Sequence, residues 1–157
     1  MKQLLILIAL IGAGFFGYQK LEVQQNQVSD PYYVELRISF PFESTNLVGF
    51  GLMHSLQECQ ERSGGIWRDI LSGEAGSVEV AMKCKKQIPE KYNKLFNNEQ
   101  FSATYLSMEP GNEHERSARF VIYGVSSSVM KEACIELINH YKKQYQGKVQ
   151  CITGTVG

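Results

Sequence analysis

The chain has 157 residues, 43% of them hydrophobic, and its 16 Lys and Arg balance its 16 Asp and Glu. A length of this order fits one ordinary domain with a core of its own. The even charge excludes a strongly basic nucleic-acid binder, and the apolar content excludes a disordered chain.

Leu4 to Phe16 (LLILIALIGAGFF) carries no polar side chain and follows Lys2. A charged residue, an apolar run and the small patch Gly12-Ala13-Gly14 are the parts of a secretory signal. The run falls short of the ~20 residues a spanning helix needs, yet Phe15 and Phe16 directly after the small patch disfavour cleavage there. Residues 1–18 therefore read as a signal peptide or a retained N-terminal membrane anchor. That segment is the only route by which the chain would meet a membrane. Lipoprotein attachment is excluded because no cysteine precedes Cys59. Residues 19–30 (QKLEVQQNQVSD) form a polar spacer, and 31–157 a single α+β globular domain.

Tyr32 to Phe40 alternates as a strand, with Tyr32, Val34, Leu36, Ile38 and Phe40 on one face and Tyr33, Glu35, Arg37 and Ser39 on the other. Pro41 ends it. Ser44 or Thr45 then caps a predicted helix whose stripe is Val48, Leu52, Leu56 and Cys59, stopped by Gly64-Gly65. Ile66 to Gly76 reads as a connector holding Trp67. Ser77 to Lys86 alternates again, with Cys84 on its apolar face and Lys83 and Lys85 opposite. Pro89 opens a short helix around Tyr92, Leu95 and Phe96. Phe101 to Glu109 and Arg116 to Val125 form a hairpin across Pro110-Gly111-Asn112, the second strand central in the sheet. The serines at 126–128 cap a second long helix with Met130, Cys134, Leu137, Ile138, Tyr141 and Tyr145 on its buried stripe. After Gly147, Lys148 to Thr155 is the last strand. The expected fold is an α+β two-layer sandwich: a mainly antiparallel sheet with two long helices on one face, in a ferredoxin-like split βαβ outline with an elaborated middle.

Each long helix carries one cysteine on its buried stripe, and each is followed by a strand carrying another. Of three possible pairings, Cys59–Cys84 and Cys134–Cys151 need only contact between a helix and the next strand. Such bridges belong to an oxidising compartment, which agrees with export. No two cysteines have metal-ligand spacing, and the three histidines are scattered, so no metal is expected. No cofactor motif is found, and neither G-x-S-x-G nor a redox C-x-x-C occurs.

Without a catalytic constellation, the leading expectation is a non-enzymatic, exported or membrane-tethered binding module of the cell envelope, taking a protein or small ligand. Its best candidate surface is the sheet face turned from the helices, where Tyr33, Arg37, Lys83 and Lys85 alternate outward beside Glu35, with Tyr105 or Tyr123 able to join. Trp67 is a second candidate, as interface anchor or core plug. Two alternatives are a small extracytoplasmic enzyme with a site assembled from His54, Glu58, His114 or Arg119, and a structural subunit of an envelope assembly.

Overall fold

The computed structural model describes residues 31–40, 45–72 and 78–154, with 67–72 by backbone alone. The leader, the spacer and the question of cleavage lie outside the described residues. Six strands build one sheet: β1 (Tyr32–Phe40), β2 (Thr45–Met53), β3 (Glu79–Lys85), β4 (Tyr105–Glu109), β5 (Ala118–Tyr123) and β6 (Lys148–Ile152). The helices are α1 (Leu56–Ser72), α2 (Asn93–Phe96) and α3 (Ser127–Tyr141), with a 3-10 turn at Glu90–Tyr92 leading into α2. All neighbouring strands are antiparallel, in the order β3-β1-β2-β5-β4-β6.

That order reads alike from either end. The chain consists of two ββαβ units, β1β2α1β3 and β4β5α3β6, joined along the β2–β5 seam. The register repeats as well. In the first unit Leu36 pairs with Gly49 and Met82; in the second Met108 pairs with Ala118 and Val149. Cys84 stands opposite Val34, and Cys151 opposite Leu106. Each of α1 and α3 links two parallel strands that flank an antiparallel one, so split βαβ crossovers are present. The chain path is that of two ββαβ units and differs from the ferredoxin-like outline anticipated.

The difference arises at 45–53. The sequence there predicts a helix, whereas TNLVGFGLM forms β2, whose residues are almost all buried. Its Leu47 and Met53 enter the core below α1 and α3, while Val48 and Phe50 enter a second cluster on the opposite face. A strand buried on both faces loses its alternation and mimics a helical stripe. Gly49 is required here: a Cβ would lie 2.9 Å from the ring of buried Phe120.

Helix α1 begins only at Leu56 and passes through Gly64-Gly65 to Ser72. Each interior glycine costs the helix about 1 kcal/mol relative to alanine, which packing of Cys59 and Ile66 into the core offsets. Trp67 thus sits on helical backbone instead of in a connector, and its side chain lies outside the described residues. Helix α3 starts as expected: Ser126 is extended, and its side chain accepts from the Val129 N–H. Strand β6 ends at Ile152, three residues earlier than predicted.

Two disulfides join α1 to β3 (Cys59–Cys84) and α3 to β6 (Cys134–Cys151), the local pairs expected. They occupy equivalent places in the two units. The main core lies between the sheet and these helices. The other face carries the smaller cluster, in which Tyr92, Leu95, Val48, Phe50, Tyr105 and Val121 pack.

Candidate functional site

The sheet face turned from α1 and α3 is partly roofed by the segment around α2, and so is not the open surface anticipated. Arg119 and Asn98 tie this roof to the sheet. Arg119, 2% exposed, donates from Nε to the Leu95 carbonyl and from Nη1 to the Met108 and Ala118 carbonyls. Its guanidinium lies 5.0 Å from the Phe96 ring centre. Just past α2, Asn98 takes up φ 55° and accepts from the Ser107 hydroxyl at 2.6 Å while donating to the Glu109 carboxylate. A short polar residue tolerates the left-handed region, and here its amide also bonds the sheet.

Of the predicted residues, Tyr33 is half-buried and meets Phe96 edge-on at 5.4 Å. Arg37 and Lys85 converge on Glu35, whose side chain is only 5% exposed: Arg37 Nε lies 2.6 Å from Oε1 and Lys85 Nζ 2.5 Å from Oε2. Burial pushes the Glu35 carboxyl up, but the hydrogen bonds from Lys85 and Arg37 outweigh it and hold the carboxyl below its ordinary range. Lys83 is exposed on the edge strand. Tyr105 is buried under the roof with its hydroxyl donating to the Glu99 carbonyl, whereas Tyr123 reaches open space.

Where the roof stops, a cleft of about 360 Å³ remains beside Arg37, Asn46, Lys91, Tyr92, Phe101 and Tyr123. The Tyr92 and Tyr123 hydroxyls are 3.5 Å apart, and Lys91 Nζ lies 4.8 Å over the Tyr92 ring. Burial, then the contact with Tyr92, raises the Tyr123 pKa well above the ordinary tyrosine range, so its phenol remains a donor throughout the physiological range. Sequence alternation found Arg37 and offered Tyr123 as an option. It missed Lys91, and also Asn46, which it assigned to a helix.

The residues offered for an enzyme separate. Arg119 lies on the α2 side of the sheet, packed against Phe96. Glu58 belongs to a second cluster, in which Arg116 Nε and Arg62 Nε reach its Oε1 at 2.6 and 2.9 Å and the His54 backbone N–H reaches its Oε2 at 2.7 Å. Arg62 also donates to the His114 carbonyl. Both histidines hydrogen-bond to this network through backbone atoms. Neighbouring Glu115, 7% exposed, accepts from the backbone N–H groups of Gly111, Gln146 and Gly147, tying the β4–β5 turn to the connection between α3 and β6.

A further hollow of about 570 Å³ runs along α3 between Val125, Ile135, Ile138 and the Cys134–Cys151 bridge. Its counterpart beside α1 presents Gln60 and Ser63 next to Cys84. Among the described residues no group of three or more His, Cys, Asp or Glu is placed to hold a metal ion, and no helix is long and apolar enough to cross a membrane. The chain matches no protein-family model, and no similarity to a curated protein or to a solved structure is found.

Proposed function

We propose that the chain is an exported, disulfide-stapled module of the cell envelope that works by binding, with the concave part of its sheet face as the working surface. The observation that carries the reading is the pair of equivalently placed disulfides, Cys59–Cys84 and Cys134–Cys151. Two such bridges persist in an oxidising compartment and are rare in a reducing one. The apolar run at Leu4 to Phe16 supplies the means of export, as cleaved signal or retained anchor. Binding in place of catalysis is supported by how the ionisable groups are used. Glu58, Glu115 and Arg119 each hold separate parts of the chain together. The cleft beside Arg37, by contrast, presents side-chain donors to solvent.

Non-reducing mass spectrometry of protein recovered from its native location tests both halves of the reading. The expected result is two intact bridges and either a new N-terminus near residue 18 or membrane association. Four free thiols would overturn export. Turnover of a substrate abolished by a single substitution would overturn binding as the activity.

A further inference from the structure

The cleft at the edge of the α2 roof has a one-sided chemistry. Arg37, Lys91, Asn46, Ser39, Ser102, Tyr92 and Tyr123 give it donors from five segments, and among the described residues no carboxylate lines it. Glu35, the acid that Arg37 pairs with, is held by both Arg37 and Lys85. Glu35 takes Nε of Arg37, whose side chain is 46% exposed, and a guanidinium has five N–H donors in all. The Tyr92 oxygen accepts from Tyr123, which leaves the Tyr92 proton to be donated elsewhere. Val48 on the floor and Phe101 on the wall are apolar. A hollow of this size lies at the small end of the range for small-molecule sites.

Building on the reading of the domain as a binding module, we infer that this cleft is a site for a small organic anion: a carboxylate held by Arg37, Lys91 and the Tyr92 hydroxyl, which Tyr123 orients, with an apolar body resting on Val48 and Phe101. Guanidinium, ammonium and phenol together match a carboxylate's acceptor lone pairs, and charge-assisted bonds are the strong ones. A free aryl carboxylate and the C-terminal carboxylate of a peptide present the same chemistry.

The test uses the oxidised domain and titrates benzoate, its neutral isostere benzamide, and N-acetylphenylalanine with and without C-terminal amidation, followed by calorimetry and by amide shifts in NMR spectra. Benzoate is expected to saturate at millimolar concentration and to shift resonances at 37, 91 and 92, while benzamide does not. Lys91→Gln and Tyr92→Phe should each weaken it by about tenfold, the size of losing one hydrogen bond to a charged group. Lys91 is exposed, so its substitution leaves the fold as a constant. If acetylphenylalanine binds and its amide does not, capture of chain termini is supported; binding of benzoate alone supports a free anion. Equal binding of benzoate and benzamide, no saturation by either acid, or unchanged affinity in both variants would overturn the site. Such failure in a protein with both disulfides intact removes this site alone and leaves the proposal of an exported binding module standing.

Discussion

Glu58 stands between two guanidinium groups, those of Arg62 and Arg116, and Arg116 is itself 2% exposed. One Arg116 nitrogen, Nη2, is buried without a hydrogen-bond partner among the described residues. Replacing Glu58 by Gln would leave two buried cations without their anion, at a cost of about 3–5 kcal/mol. Urea denaturation of Glu58→Gln against the parent checks it, and a change within 1 kcal/mol (about the median worth of an exposed pair) would show the cluster to be solvated. The same residues set the response to acid. Burial pushes Glu58 up, but the His54 backbone N–H and both arginines hold it below the usual carboxylate range, as Lys85 and Arg37 do for Glu35. Burial, with Arg116 and Arg62 beside it, lowers His54. For each of these groups the unfolded chain binds protons at a higher pH than the folded one, so stability rises with pH across the window between the two values. Stability should thus fall first as pH drops below about 6.5, through His54, and again below about 4.5, through Glu58 and Glu35. Thermal melts from pH 8 to pH 3 follow both steps; a midpoint that rises on acidification would contradict the assignment. At Gly49, a Cβ would press on Phe120, and Gly49→Ala should cost about 1–3 kcal/mol by overpacking.

The elements depend on cross-links as much as on propensity. The Cys59–Cys84 bridge spans a separation of 25 residues and the Cys134–Cys151 bridge one of 17. Constraint of the unfolded chain by loops of these sizes is worth about 3–4 kcal/mol each. The double variant Cys59→Ser with Cys84→Ser should lower stability by that amount. Its proteolytic nicking should concentrate in α1, whose Gly64-Gly65 interior makes it the intrinsically weaker helix. Equal stability with and without the bridge would show that α1 is held by packing alone. The sequence reads α3 well, because Ser126 and the stripe from Met130 to Tyr141 agree with each other. It reads β2 wrongly because both faces of that strand are covered, and a two-sided apolar run has no period to detect.

Across the whole molecule the two ββαβ units share one core. Val34 and Leu36 from the first and Leu106 and Met108 from the second belong to the same cluster, along with residues of both α1 and α3. Chemical unfolding should accordingly show one cooperative transition, coincident by far-ultraviolet circular dichroism and tyrosine absorbance. Two separated transitions would mean that the units are independent bodies. The candidate cleft also belongs to this scale: it gathers Arg37 from β1, Asn46 from β2, Tyr123 from β5 and Lys91 from the approach to α2. Alternation placed Arg37 on the correct face, and nothing local marked Lys91 or Asn46 as its neighbours.

The sequence by itself determined the cysteine framework, the strand at Tyr32–Phe40, the helix after Ser126 and the side of the sheet on which Tyr33, Arg37, Lys83 and Lys85 fall. These follow from periodicity and spacing, which act over a few residues. Tertiary structure alone decided that 45–53 is a strand, that α1 runs through two glycines, that the ββαβ unit occurs twice, and that α2 roofs part of the face expected to be open. Those outcomes are settled by which apolar surfaces meet: burial on both faces erases local pattern, and packing against a distant strand outweighs the about 1 kcal/mol preferences of single residues.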